Sequence, residues 1–140
     1  MLHECPTSKL QRASIVVALL FGLLTLFAGG RVLLGADPGH LVLRPLLLFN
    51  TAMGAAYVAS AVLLRRDLRL GRRAAGAIAL LNLLVLGSLL VYASGGGPVA
   101  PDSFASMVLR TAVWAALFAA AGRVLRRQDE AGRPHAAPAI

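Results

Sequence analysis

The sequence predicts an all-α fold, an integral membrane four-helix bundle with four transmembrane helices and both termini on the cytoplasmic side (N-in/C-in). Of its 140 residues, 58% are hydrophobic and 14% are charged, which is too apolar for an ordinary soluble domain. The apolar residues also form four long runs, and most charged residues lie between those runs. The basic residues lie mainly at one end of each run, which predicts the orientation.

The four runs define predicted spans at approximately residues 13–35, 45–64, 74–93 and 104–122. At about 1.5 Å per residue, segments of this length cross a hydrocarbon core about 30 Å thick. The first run is too long for a usual signal peptide, so we favour an uncleaved signal anchor. Pro45 suits the first turn of the second helix, and Asp102 or Ser103 is expected to cap the fourth. Residues 1–127 form one predicted domain, and residues 128–140 form a predicted disordered cytoplasmic tail.

An arginine-rich stretch joins the second and third runs, and it is predicted to be an inner loop that ends at residue 73. It carries five arginines, Arg65, Arg66, Arg69, Arg72 and Arg73. Short basic loops stay on the cytoplasmic side, so these residues are expected to be topogenic. With a net charge of +8 placed beside apolar spans, the expected partners are membrane lipids, including anionic headgroups at the cytoplasmic face, and not nucleic acid. The preference for arginine over lysine, with abundant alanine, leucine and glycine, indicates a GC-rich bacterial gene. Together with the four predicted spans, this makes the bacterial cytoplasmic (inner) membrane the expected location.

Small residues recur every fourth position on two of the predicted spans, and this spacing lets helix backbones approach closely. Such faces suit either packing within one bundle or formation of a homodimer. The three series are Thr51, Ala55 and Ala59; Ala52, Ala56 and Ser60; and Ala112, Ala116 and Ala120.

Two groups of polar residues lie inside the predicted spans. Tyr57 and Asn82 fall at similar depth, so we expect them to form an interhelical hydrogen bond. A second group falls within about 5–11 Å of the outer boundary. It comprises Arg31, Asn50, Thr51, Ser88, Arg110 and Thr111.

This outer polar layer has two interpretations. It could form a pocket for an anionic or polar headgroup. Alternatively, its arginines extend to the interface and its hydroxyl groups bond to their own helices, the interpretation that we favour for Arg31. We expect Arg110 to face the bundle and meet Asn50, with Asp37 or Asp102 as a possible outer counter-charge.

No residue pattern indicates an enzyme, a metal site or a cofactor. All acidic residues and histidines lie outside the predicted spans, which disfavours a proton relay within the membrane. The single cysteine, Cys5, allows neither an intramolecular disulfide nor a cysteine metal cluster. No serine or cysteine nucleophile with a nearby histidine base is visible. The sequence therefore predicts a non-enzymatic protein with no metal and no cofactor.

Two segments resemble uncharacterised small four-helix bacterial inner-membrane proteins. The first runs from Arg44 through Asn50 to Gly54 and Tyr57. The second runs from residue 103 to residue 114 and contains Met107, Arg110, Thr111 and Trp114. The resemblance implies the fold and the membrane, and it assigns no role to any residue.

Two functions fit this sequence. The first is an accessory or assembly subunit of a membrane complex, with a membrane-protein partner or a second copy of the chain, and it is favoured by small size and short loops. The alternative is a carrier or binding protein for a lipid headgroup or small anion, and it is favoured by six polar residues at one depth. We expect the first.

Overall fold

A computed structural model describes residues 8–39 and 42–133, and four α-helices account for most of them. The helices are α1 (Lys9–Leu33), α2 (Arg44–Arg66), α3 (Leu68–Ser94) and α4 (Pro101–Ala131). Each is long and apolar enough to cross a membrane. Even α2, the shortest with 23 residues, spans about 34 Å at 1.5 Å per residue. The all-α prediction with four helices of membrane-spanning length is confirmed.

The helices extend beyond the predicted spans at all but one end, because polar residues there also favour helix. The exception is α1, which ends at Leu33, short of the predicted residue 35, since Gly35 has a positive φ of 101° that does not continue a helix. At the start of α1, the Ser8 hydroxyl accepts a hydrogen bond of 3.2 Å from the Gln11 amide. At its C-terminus, α4 continues to Ala131, so the predicted disordered tail is wrong for residues 128–131. These residues are compatible with helix, and the first helix-breaking residue is Gly132. Residues 134–140 of that tail lie outside the described residues.

The predicted cap of α4 is also wrong. Ala100 occupies the N-cap position and makes no side-chain hydrogen bond, while Pro101 begins the helix. Proline fits there because the first helical turn needs no amide donor from it. Asp102 lies in the first turn, where its carboxylate is stabilised by the positive end of the helix dipole.

The predicted inner loop, which was expected to continue to residue 73, is wrong. The connection between α2 and α3 is a sharp turn at a single residue. Asp67 alone separates α2 from α3, and its Oδ1 accepts hydrogen bonds from the amides of Arg69 at 2.9 Å and Leu70 at 3.1 Å. Gly71 allows the tight corner, because a Cβ there would lie 2.6 Å from the Leu64 Cα. The five arginines therefore lie on two helix ends.

The helices pack in a ring in chain order. The largest interfaces are α1 with α2 and α3 with α4, and α1 with α4 is the smallest of the four. Glycines explain the close approach of α1 and α2: a Cβ at Gly22 would lie 2.9 Å from the Val58 nitrogen, and one at Gly54 would lie 3.0 Å from the Leu26 nitrogen. Among the small-residue series predicted for packing, only Ser60 is buried.

Most arginines lie at one end of the bundle, and the two ends are named accordingly. We call the end where Asp67 joins α2 to α3 the arginine end, and α1 begins and α4 ends there as well. The other end carries the connecting residues 34–39 and 95–100, and we call it the loop end.

Aromatic residues fill the middle of the bundle, and most of its other large apolar side chains face outward. Tyr57 and Trp114 are fully buried with ring centroids 4.7 Å apart, and Phe21 packs on Tyr57 at 5.8 Å. Outside, Leu24 is 65% exposed and Val91 is 72% exposed. Only 22–28% of the most apolar window of each helix is buried. An apolar surface this extensive needs a cover of lipid or protein.

Candidate functional site

A cavity of about 300 Å³ lies at the loop end between α1, α2 and α4. It adjoins the interface of α1 with α4, the smallest of the four between neighbouring helices of the ring. Three helices contribute polar side chains to its lining, which are Thr25, Asn50, Asp102, Ser103, Ser106 and Arg110. The cavity therefore combines a cation, a carboxylate, an amide and hydroxyl groups in one small volume.

Arg110 lies in α4 with its guanidinium at this cavity. Its Nη1 atom is buried and has no hydrogen-bond partner among the described residues. None of the described carboxylates forms an ion pair with it, although Asp102 lines the same cavity. The guanidinium also lies close enough to the Tyr57 hydroxyl to interact with it electrostatically. A buried guanidinium donor without an acceptor is energetically costly, so it is a candidate for ligand binding.

Asn50 borders the same cavity from α2, and its Oδ1 is also buried, with no partner within residues 8–39 and 42–133. Arg110 and Asn50, which were predicted to meet, line the same cavity. No hydrogen bond joins their side chains. Of the two predicted counter-charges, only Asp102 lines this cavity. Asp37 instead accepts a hydrogen bond of 2.9 Å from the Gly39 amide.

The other four residues of the predicted outer layer do not line the cavity. Three hydroxyl groups donate to the carbonyl four residues earlier in their own helix, at 2.8–2.9 Å; they are those of Thr51, Ser88 and Thr111. Arg31 is exposed in the last turn of α1, and its guanidinium carbon lies 5.7 Å from the centroid of the Phe27 ring. These four residues follow the second interpretation of the layer, in which arginine side chains reach the surface and hydroxyl groups bond to carbonyls of their own helices.

A buried polar cluster lies below the cavity. The Tyr57 hydroxyl donates to Asn82 Oδ1 at 3.2 Å, and both residues are fully buried. The structure thus brings together the pair that the sequence places at one depth, and the hydrogen bond links α2 to α3. Asn82 Nδ2 and Trp114 Nε1 are buried without partners among the described residues.

Three members of the cavity were missed by counting depth along the spans: Thr25, Ser103 and Ser106. A signal for two of them exists in the sequence. Ser103, Ser106 and Arg110 stand at positions i, i+3 and i+7, which places them on one face of a helix. The position of a residue around the helix axis therefore identifies cavity residues that its depth along the span does not.

The described residues contain no group of three or more histidine, cysteine, aspartate or glutamate side chains placed to hold a metal ion. Comparisons of the chain with protein-family models, with curated protein sequences and with solved structures give no match. The cavity and its side chains are therefore the features of this chain that bear on its function.

Proposed function

We propose that the chain is a multi-pass protein of a bacterial inner membrane that binds a small anionic group in the loop-end cavity. The four apolar helices and their outward-facing leucine and valine side chains support membrane insertion. The concentration of arginines at one end supports an orientation with that end, and hence both termini, in the cytoplasm. In this orientation the cavity opens toward the outer leaflet.

One observation carries the binding proposal: a buried arginine donor and a buried amide oxygen border one cavity, and neither has a partner in the part of the chain that the structure describes. A purely structural role for Arg110 would leave its Nη1 donor and the Asn50 oxygen unsatisfied within an apolar bundle. An oxyanion accepts from the guanidinium, and a hydroxyl or ammonium group on the same ligand donates to Asn50. Binding then satisfies both atoms at once.

The lining restricts the ligand class. Arg110 and Asp102 carry opposite charges, which suits a ligand with a single anionic group better than a dianion. The volume of about 300 Å³ suits a headgroup or a small metabolite, not a whole lipid. A phosphodiester or carboxylate that also carries donor groups has the required chemistry, whether it belongs to a phospholipid or to a soluble molecule.

The test is native mass spectrometry of the protein purified from its native membrane in mild detergent. We expect one lipid or small anion per chain whose retention depends on Arg110. Arg110→Leu should weaken retention by about 10- to 100-fold, because a hydrogen bond to a charged group contributes about 1.5–3 kcal/mol. Arg110→Lys should restore binding partly, because it keeps the charge and loses the planar fork. Extraction of the retained species into organic solvent separates a phospholipid from a soluble anion.

Ser88→Ala is the matched control, since Ser88 lies at similar predicted depth but does not line this cavity. Circular dichroism and gel filtration establish that each variant remains folded. Equal retention by wild type, Arg110→Leu and Ser88→Ala would refute a binding role for the cavity and leave Arg110 as an interface residue.

The role of accessory or assembly subunit stays a prediction, with one feature in its favour. Ala55, Ala59, Ala112 and Ala116 are exposed and would allow a further helix to approach closely. Lipid tails would cover these alanines equally well. The same mass spectra test this role, because a stoichiometric protein partner or a second copy of the chain adds its own mass.

A further inference from the structure

A second pocket, of about 440 Å³, lies between α3 and α4 at the arginine end. Its lining combines four arginines, one carboxylate and an apolar wall, and consists of Arg69, Arg72, Arg73, Phe118, Gly122, Leu125, Arg126 and Asp129. Arg69 and Asp129 form an exposed ion pair at 3.5 Å. The single carboxylate thus faces Arg69, and the pocket keeps a strong excess of positive charge.

Arg72 is held in place by a reciprocal fit between the two helices. Its guanidinium carbon lies 4.7 Å from the centroid of the Phe118 ring, a stacking distance for a cation on an aromatic face. A Cβ at Gly122 would lie 3.2 Å from Arg72 Nε, and one at Gly76 would lie 3.0 Å from the Phe118 ring. Each helix therefore supplies a glycine that accommodates the large side chain of the other.

This fit makes Arg72 different from a freely moving surface arginine. Its Nε atom is buried without a hydrogen-bond partner among the described residues. The stacked guanidinium loses little conformational entropy when it binds, because its position is already set by Phe118 and Gly122. Arg73 and Arg126 are exposed beside it and can close on the same ligand.

We propose that this pocket binds the phosphate of an anionic phospholipid. A diester phosphate accepts hydrogen bonds from Arg72, Arg73 and Arg126, and the acyl chains lie along the apolar side formed by Phe118 and Leu125. A basic pocket between helices, open at the membrane boundary, favours a lipid over a soluble phosphate because only the lipid also covers the apolar wall. The proposal rests on the membrane insertion proposed above, but not on the loop-end cavity.

The test uses detergent-solubilised full-length protein titrated with dioleoyl phosphatidylglycerol or dioleoyl phosphatidylcholine, with bound lipids counted by native mass spectrometry. We expect one site that prefers phosphatidylglycerol and that depends on Arg72 and Arg126. The double variant Arg72→Gln/Arg126→Gln should bind it about 10- to 100-fold more weakly, as expected for the loss of charged hydrogen bonds. Glycerol phosphate, which lacks acyl chains, should compete poorly.

The matched control is Arg65→Gln/Arg123→Gln, which removes the same charge from the same end but from residues outside the pocket. It should bind like wild type. A further variant, Gly122→Val, keeps every arginine and displaces Arg72, so it should also weaken binding. Circular dichroism identifies any variant that fails to fold, and either Gly122→Val or the charge variant then carries the test alone.

Three outcomes would overturn the proposal. Equal weakening by the two double variants would mean diffuse attraction to the arginine end, without a site. Equal binding of the two lipids would exclude recognition of the anionic headgroup. Competition by glycerol phosphate as strong as that by lipid would assign the pocket to a soluble phosphate compound. Because Arg110 remains unchanged in all these variants, failure here leaves the loop-end cavity untouched, and the reverse also holds.

Discussion

Removal of the Tyr57 hydroxyl provides a direct test of the buried hydrogen bond to Asn82. Tyr57→Phe keeps the ring between Phe21 and Trp114 and removes only the donor, which lies 3.2 Å from Asn82 Oδ1. Hydrogen bonds between transmembrane helices contribute about 0.6 kcal/mol on average and about 1.7 kcal/mol at most. Leaving a buried acceptor unpaired adds a desolvation cost, so we expect a destabilisation of about 1–2 kcal/mol.

A double-mutant cycle separates the hydrogen bond from packing. Asn82→Leu removes the acceptor together with the amide nitrogen, which already has no partner among the described residues. Tyr57→Phe leaves Asn82 Oδ1 without its donor, and Asn82→Leu leaves the Tyr57 hydroxyl without this acceptor, whereas Tyr57→Phe/Asn82→Leu removes both groups. We therefore expect the double variant to be more stable than the sum of the single effects predicts, with a coupling energy of about 0.6–1.7 kcal/mol.

Unfolding by sodium dodecyl sulfate in mixed micelles measures these energies. Trp114 is the only tryptophan and stacks on Tyr57, so its fluorescence reports on this part of the core. Tyr92→Phe is the control, since Tyr92 is the only other tyrosine and is 47% exposed. The control should change stability by less than about 0.5 kcal/mol. If Tyr57→Phe matches that control, or if the double variant is strictly additive, the hydrogen bond does not stabilise the bundle.

Three further predictions concern topology and the arginine end. Reporter fusions at Gly96 and at the C-terminus should report opposite compartments, and matching compartments would contradict a four-span protein. Neutral replacement of the five arginines at positions 65, 66, 69, 72 and 73 should give mixed orientations, because each positive charge near an anionic leaflet contributes about 1 kcal/mol. Uniform orientation in a protease-protection assay would exclude them as the main topogenic signal. Asp67→Ala should cost about 1 kcal/mol through loss of the α3 cap, while Asp129→Ala, which removes an exposed ion pair, should cost less than about 0.5 kcal/mol; equal effects would exclude a special role for the cap.

The number and type of the helices could be predicted because long apolar runs are a strong signal. The helix ends could not, because hydropathy marks where apolar character stops and not where the helix stops. Asp67 illustrates the difference. It stands within a run of arginines that hydropathy assigns to a loop, yet its side chain caps a helix that begins at the next residue. The same effect extends α4 past Gln128 to Ala131.

The candidate site could be predicted only in part, since depth along a span is one coordinate and the direction of a side chain is another. Asn50 and Arg110 lie at similar depth, and the side chains of both point to the same cavity. Ser88 agrees in depth alone, and its side chain is exposed on the outside of α3. Tyr57 and Asn82 form a hydrogen bond because they lie at similar depth on two adjacent helices and their side chains point toward each other. The pocket at the arginine end depends on Gly76 and Gly122, whose effect appears only when the two helices are packed together.

Three arginines lie near or within the apolar segments, and their roles differ because their surroundings in the folded bundle differ. Arg31 is exposed in the last turn of α1, where water and the helix carbonyls can satisfy it. Arg72 stacks on Phe118 at the arginine end, so part of its surface is covered by an aromatic ring. Arg110 has neither an ion pair nor an aromatic stack among the described residues, and its Nη1 is buried without an acceptor. An arginine within a membrane costs about 2.5–3.5 kcal/mol at the centre of a span and less toward the boundary. A bound anion would offset that cost at Arg110, where the described residues supply no acceptor for Nη1.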